Sequence, residues 1–168
     1  TSCAAVGIPC IHAGEGVKLL CSLPTFAADI KTLPNDITLA QAQNVLQAAI
    51  SKAETIKVPM NIAVMDAGGN LKAFARMDDA FLGSIDIAER KARTARYFNM
   101  STRDLGKAAQ VGQPLYGIEA TNGGLVIFAG GELLKNKQGM IVGSIGVSGG
   151  SVDEDENVAK AGAAVLLK

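Results

Sequence analysis

The strand-to-helix turn Ser148-Gly149-Gly150 carries the residue types in this chain best suited to chemistry. An apolar, β-branched run ends there, and a helix begins after Ser151 with Asp153, Glu154 and Asp155 near its start. Glycines permit positive φ and close approach of a ligand, and the N–H groups of a helix start attract a carboxylate or phosphate. The three carboxylates can equally satisfy the helix dipole, attract a cation or act as general bases. The turn therefore predicts either a binding site or a tight joint.

Basic side chains are the candidates to bind a carboxylate-bearing ligand. Arg76 lies in a predicted strand, and Lys91, Arg93 and Arg96 lie in the predicted middle helix. Lys91 and Arg93 do not share a helix face, so they cannot act as one clamp. For each basic residue the alternative is a surface charge or an ion-pair partner. We take Arg76 and Lys91 as candidate ligand-binding residues.

Asp155 and Tyr116 are the candidate catalytic residues, Asp155 as acid or base and Tyr116 as a positioning group. Tyr116 is one of two tyrosines and lies in the loop Gly112–Gly117, where an aromatic side chain either lines a pocket or packs. The single histidine, His12, excludes a Ser-His-Asp set from the later part of the chain, which also lacks a Walker loop and a Cys-x-x-Cys motif. Residues 153–156 are consecutive helical positions that point in different directions, so we predict no metal site.

Composition narrows the classes of partner. The chain has 168 residues with 16 basic and 16 acidic side chains, so its net charge of zero argues against nucleic-acid binding. No segment approaches the roughly 18 consecutive apolar residues of a membrane span. A small molecule is therefore the partner that we predict, in a soluble protein.

The first 37 residues differ from the remainder of the chain. Residues 1–37 contain prolines and no sustained periodicity, so we predict an N-terminal arm followed by one domain, residues 38–168. All the cysteines lie in this arm: Cys3, Cys10 and Cys21. Their odd number allows at most one internal disulfide, and the spacing of Cys10 and His12 matches no zinc pattern. The start at Thr1 and the clustered cysteines leave the compartment open, with a secreted or organellar protein as the expectation.

Apolar spacing and capping residues predict four helices. The first runs from the cap Thr38 to Lys57, and the second spans Ile85–Phe98 with Ser84 as its cap. A short third helix begins at Ser101 or Thr102. The last helix opens with an S-x-x-E capping box, formed by the Ser and Glu of positions 151 and 154.

Two β-hairpins separate these helices. The predicted strands are Met60–Asp66, Leu71–Met77, Gly124–Ala129 and Met140–Val147. Gly68-Gly69-Asn70 turns the first hairpin, and Gly130-Gly131-Glu132 is the predicted turn of the second. Because hairpins pair antiparallel, we predict an α+β fold with a central antiparallel sheet and helices on both faces.

Four segments occur in a characteristic order. They are Met65-Asp-Ala-Gly-Gly-Asn-Leu71 with Phe74–Asp78, Ile87–Ala95, Phe128–Gly131, and Val142–Gly150. Together they resemble the GlcG/HbpS-like family, also called the haem-degrading or DUF336 family, over about residues 38–168. The resemblance implies a profilin-like sheet in a protein that assembles into homodimers or homo-octamers.

The same resemblance implies a small ligand, with haem or another tetrapyrrole considered first. Family members are similar to extracellular haem-binding and iron-sensing proteins and to the C-terminal domain of a corrinoid adenosyltransferase. One departure weakens haem: Asn70 stands where many relatives read Gly-Gly-His, and the domain has no histidine. Haem iron prefers His, Cys, Met or Tyr. The substitutes are Met77, Met100, Tyr97 and Tyr116, or a contact at Thr94. The cofactor therefore stays open.

Three functions are left open by these observations. The first is an oligomeric protein that binds a small ligand near a subunit interface, in a pocket built by the middle helix and the turn 148–151. The candidate ligand-binding residues are Arg76, Lys91, Thr94, Tyr97, Ser148, Gly149 and Gly150. The second is an enzyme acting on a small organic acid or natural-product intermediate, with the acidic residues near the turn as acid or base. The third is a structural or interaction domain.

Overall fold

The fold consists of a four-stranded antiparallel sheet covered by helices on both faces. A computed structural model describes residues 35–167. Its helices are α1 (Leu39–Ile56), α2 (Ser84–Phe98), α3 (Thr102–Ala108) and α4 (Val152–Ala163), with short 3₁₀ turns at Ile118–Ala120 and Ala164–Leu167. Its strands are β1 (Asn61–Met65), β2 (Leu71–Arg76), β3 (Gly131–Lys135) and β4 (Ile141–Ser148). Most of the predicted arm, with its three cysteines, lies outside the described residues.

The strand order in the sheet is β2-β1-β4-β3, and every neighbouring pair is antiparallel. Helices α1 and α4 pack on one face, and α2 packs on the other. The predicted α+β class with two hairpins is confirmed. Within residues 35–167, no helix is both long and apolar enough to span a membrane.

Successive side chains of β1 point to opposite faces of the sheet and so belong to two separate core clusters. Ile62 and Val64 belong to the cluster under α1 and α4, whereas Ala63 and Met65 belong to the cluster under α2. To this cluster α2 contributes only Ala88 and Ala92, so the helix lies close to the sheet. At Gly146 of β4 the approach is closest, because a Cβ there would collide with the backbone of α2.

The predicted second hairpin is wrong in its first strand. Residues 124–130 form no strand, and β3 begins at Gly131, inside the predicted turn. The apolar run instead packs along α2, where the Val126 N–H donates to Thr94 Oγ1 at 3.1 Å. Burial against a helix therefore replaces strand pairing, and an apolar run alone does not distinguish the two.

The turns of the two hairpins share one geometry. Asp66 Oδ1 accepts hydrogen bonds from the N–H groups two and four residues further on, and Asn136 Oδ1 does the same. Gly69 and Gly139 both take φ of +79° at the equivalent turn position. Residues 136–140 thus make the turn that was predicted at 130–132.

Side-chain caps define three of the four helix starts. Thr38, Ser101 and Ser151 accept from the N–H three residues on, as predicted. Ser84 does not cap α2: it is already helical and buried, and Gly83 occupies the cap position. A turn that joins the Ser84 N–H to the Phe81 carbonyl starts the helix one residue early.

We expect Gly146→Ala to destabilise the domain by about 1–3 kcal/mol, since its new methyl group must push α2 away from β4. Urea unfolding measures the change. Gly83→Ala is the matched control, because no atom lies within 4 Å of the Cβ that it would add. Equal stability of the two variants would contradict the close packing of α2 on β4.

Candidate functional site

A buried ion pair joins the middle of α2 to the start of α4. Lys91 Nζ lies 2.6 Å from Asp155 Oδ2 and donates to the Val147 carbonyl at 2.9 Å. Lys91 is 0% exposed and Asp155 3% exposed. The ring of Phe128, itself 44% exposed, covers the ammonium with its centroid 4.8 Å away. Two opposite charges are thus enclosed beneath one aromatic side chain.

The glycine turn completes the surroundings of this pair. Asp155 Oδ1 accepts from the Gly150 N–H at 3.0 Å. Gly130 takes φ of +116°, and a Cβ there would lie 2.8 Å from Lys91 Nζ and 2.9 Å from Asp155 Cβ, so only glycine fits. We call Lys91, Asp155, Phe128, Gly130 and the turn Ser148–Gly150 the Lys91–Asp155 site.

Burial dominates the electrostatics of the pair. It lowers the pKa of the Lys91 ammonium, against the attraction of Asp155. It raises the pKa of the Asp155 carboxyl, against the attraction of Lys91 and the N–H groups of Gly150 and Gly149. Each charge is therefore tolerated only because the other lies beside it.

Thr94 lies one turn after Lys91 on α2 and is 1% exposed. Its hydroxyl oxygen accepts the Val126 N–H, which holds the segment before Phe128 against the helix. Thr94 thereby anchors the segment that carries Phe128. Its hydroxyl faces a backbone group of the protein rather than solvent.

The acidic residues that follow the turn have separate partners. Asp153 and Glu156 both bind Arg103 of α3, and Glu156 also binds Lys160. Glu154 accepts from the Ser151 N–H in the predicted capping box. With Asp155 on Lys91, the carboxylates diverge, and no group of metal-ligating side chains converges in the described part of the chain. The turn's N–H groups at Gly150 and Ser151 meet the protein's own carboxylates.

Tyr97 lies away from the buried pair, at the C-terminal end of α2. Its side chain is 48% exposed, and its ring packs on Gly69, where a Cβ would lie 2.9 Å from Tyr97 Cε1. Arg93 is one turn earlier on the same helix face and forms no ion pair with any residue in 35–167. The neighbouring Asn70 amide donates to the carboxylate of Asp66. We call Arg93, Tyr97, Gly69 and Asn70 the Tyr97 face.

The structure does not bring Arg76 or Tyr116 to the Lys91–Asp155 site. Arg76 is exposed on the edge strand β2 and lines a cavity of about 390 Å³ beside α1. Tyr116 is 66% exposed, and its backbone N–H bonds to Gln113 within its own loop. Among the described contacts, none joins either residue to Asp155. Their proposed roles stay predictions.

Sequence reasoning missed the contact between Lys91 and Asp155, and with it Phe128 and Gly130. The pair is separated by 64 residues in the chain, which no local spacing reveals. One signal was available: Ala88, Ala92 and Ala95 form the buried stripe of α2, and Lys91 lies within it. A lysine in an apolar stripe indicates a buried partner.

A double-mutant cycle measures the strength of this pair. We expect Lys91→Met and Asp155→Asn each to destabilise the protein by about 3–5 kcal/mol, because each leaves a buried charge without its partner. The double variant should be destabilised by less than the sum of the two single changes. Urea unfolding at neutral pH supplies the free energies. The exposed pair Lys107–Asp104 is the control, with an expected coupling of about 0.5 kcal/mol or less. Additive effects at Lys91 and Asp155 would contradict the ion pair.

The stability of Lys91→Met should rise as the pH falls. Burial raises the pKa of Asp155 above its ordinary value of 3.8, and the substitution removes the main opposing charge. The folded variant then holds a proton that the unfolded chain releases, so this stabilisation is lost as pH rises through the folded pKa. Urea midpoints between about pH 7.5 and about pH 5 test this. A difference in urea midpoint between variant and wild type that does not change with pH would contradict this expectation.

Comparison with known proteins agrees with the fold and the motifs. The model of the family described as haem degrading protein HbpS-like matches residues 37–164. An uncharacterized 15.0 kDa protein from the dhaT-dhaS intergenic region of Citrobacter freundii is 42% identical over 124 residues, which cover 74% of this chain and 87% of that protein.

Two crystal structures are similar throughout the domain. The Klebsiella pneumoniae protein ORFY, of the DUF336 family, is 36% identical with a TM-score of 0.76, over 82% of this chain and 95% of that one. PduOC in complex with haem is 34% identical with a TM-score of 0.73, over 77% and 94% of the two chains. The chain therefore belongs to the HbpS-like (DUF336) family.

Proposed function

We propose that this protein binds a small, carboxylate-bearing organic ligand at the Tyr97 face, and that haem or another tetrapyrrole is the ligand class. The observation that carries the proposal is the packing of the Tyr97 ring on Gly69, directly before Asn70. By the family resemblance, Asn70 stands where many relatives read Gly-Gly-His. Tyr97 thus presents a phenol beside the place where those relatives present an imidazole.

The donor set of this chain supports Tyr97 over the other side chains considered for haem iron. Thr94 is buried and its hydroxyl is engaged by Val126. Met77 packs against the core under α1, and Met100 lines a cavity between α3 and α4. Tyr97 combines half-exposure with a phenol oxygen, which is an established ligand of haem iron.

Arg93 supplies the charge that a carboxylate-bearing ligand needs. It shares a helix face with Tyr97 and has no ion-pair partner among the described residues. A guanidinium binds a carboxylate through two parallel hydrogen bonds, which also fixes its orientation. A bound haem would supply an iron that changes oxidation state and binds further ligands, Tyr97 would hold that iron, and Arg93 would bind a propionate. The relative PduOC has been crystallised with haem.

A binding function is better supported than an enzymatic function in which Asp155 is the catalytic residue. Asp155 and Lys91 are enclosed, and Phe128 would have to move before a substrate reached them. Tyr116, the predicted positioning group, has no described contact with Asp155. In this proposal the pair holds α2 in place and takes no part in chemistry.

Assembly into a homodimer or homo-octamer belongs to the same proposal. Phe81 and Leu82 before α2 are both strongly exposed apolar side chains, as is Val111 after α3. Contiguous exposed apolar patches are typical of surfaces that another subunit covers, and we expect these side chains to contribute to one. Light scattering of the protein before and after ligand addition reports the assembly.

Titration with haemin tests the proposal. We expect a saturable Soret band for the wild type and at least about tenfold weaker binding for Tyr97→Phe, which lacks only the phenol oxygen. Tyr116→Phe is the matched control and should bind as the wild type does. Adding Asn70→His to Tyr97→Phe should restore binding, because an imidazole then stands beside the lost phenol.

Two results would contradict this assignment. The first is the absence of any saturable Soret band in the wild type. The second is equal haemin affinity of Tyr97→Phe and Tyr116→Phe, which would remove Tyr97 from the site.

A further inference from the structure

A groove runs along the free β3 edge of the sheet. Its polar chamber, about 490 Å³, lies between α3, β3 and α4. An apolar slot of about 230 Å³ adjoins it, and the two share Leu133, Lys135 and Lys160. Small-molecule sites commonly enclose about 300–1,000 Å³, so the combined space is large enough for a small metabolite.

Most charges in the chamber neutralise one another. Arg103 binds Glu156, Lys160 also binds Glu156 at 3.2 Å, and Lys107 binds Asp104 at 2.9 Å. Of these pairs, Arg103–Glu156 links α3 to α4, whereas the other two lie within α4 and α3 respectively. An incoming ligand would have to break an existing ion pair to use any of them.

Two opposite charges in the same chamber are left over. Glu132 and Lys135, both on β3, form no ion pair and no side-chain hydrogen bond with any residue in 35–167. They are not paired with each other, so space separates the carboxylate from the ammonium. A zwitterion placed in that space would satisfy both.

Of the two charged groups, the Glu132 carboxylate has the greater need of a partner, because it is half-buried. Burial raises the pKa of its carboxyl; Lys160 and Arg103 oppose this, and Glu156 and Asp104 add to it. A half-buried carboxylate without a partner gains from a cationic hydrogen-bond donor. An ammonium group is the ligand group that matches this position.

The adjoining slot supplies an apolar surface. Leu133, Ala163, Ala164 and Leu167 line it, and Lys135 and Lys160 stand at its junction with the chamber. An aliphatic chain of a few carbons gains from burial there, at about 0.8 kcal/mol for each buried CH₂. Charge and shape together therefore specify a zwitterionic head with a short aliphatic tail.

We propose that this groove binds an α-amino acid with an aliphatic side chain. Its ammonium group binds Glu132, its carboxylate binds Lys135, and its side chain occupies the slot beside Leu133 and Leu167. The groove lies at the β3 edge of the sheet and shares no lining residue with the Tyr97 face, so the two sites are tested independently.

Calorimetric titration with L-leucine tests the proposal. We expect saturable binding to the wild type, weakened at least about tenfold in Glu132→Gln and in Lys135→Gln. Lys137→Gln is the control, because Lys137 is exposed in the β3–β4 turn and lines neither cavity. On the wild-type protein, N-acetyl-L-leucine lacks the ammonium and 3-methylbutylamine lacks the carboxylate, so each should bind at least about tenfold more weakly.

The proposal is overturned if L-leucine shows no saturable heat with the wild type. It is equally overturned if the two truncated ligands bind as well as L-leucine, or if Glu132→Gln and Lys135→Gln bind like Lys137→Gln. None of these three results depends on haemin binding, which we propose for the Tyr97 face.

Discussion

The buried pair of Lys91 and Asp155 is the interaction on which the arrangement of this domain depends. It joins the centre of α2, the end of β4 and the start of α4 at one point, beside a glycine that has room for no side chain. Two enclosed charges are stable only while both are present, so the three elements are held in one relative position. The rotation of α2 about its axis follows from this contact and from its stripe of small residues.

That rotation has a functional consequence. With Lys91 facing inward, Tyr97 emerges beside the turn of the first hairpin, and Arg93 lies on the same outer face. The buried pair therefore acts as the support of the proposed ligand face. The β3 edge of the sheet is organised differently: there Arg103 of α3 binds Asp153 and Glu156 of α4, and one carboxylate and one ammonium of β3 form no ion pair with any residue in 35–167.

Local signals predicted much of the fold. Thr38 and Ser151 define helix starts through capping boxes, and the first hairpin follows from its alternating strand and glycine turn. The prediction of a strand at 124–129 was wrong because an apolar run is the same signal whether it pairs in a sheet or packs on a helix. The candidate site was likewise predicted only in part. The turn 148–150 and Asp155 can be recognised from local sequence, whereas their contact with Lys91 joins residues that are 64 apart in the chain.

The most direct test of this account is the resonance Raman spectrum of the haemin-loaded protein. We predict vibrations of an iron-bound tyrosinate, because Tyr97 is the half-exposed donor beside the turn at Gly69 and Asn70. A spectrum of haemin bound without tyrosinate ligation would contradict it.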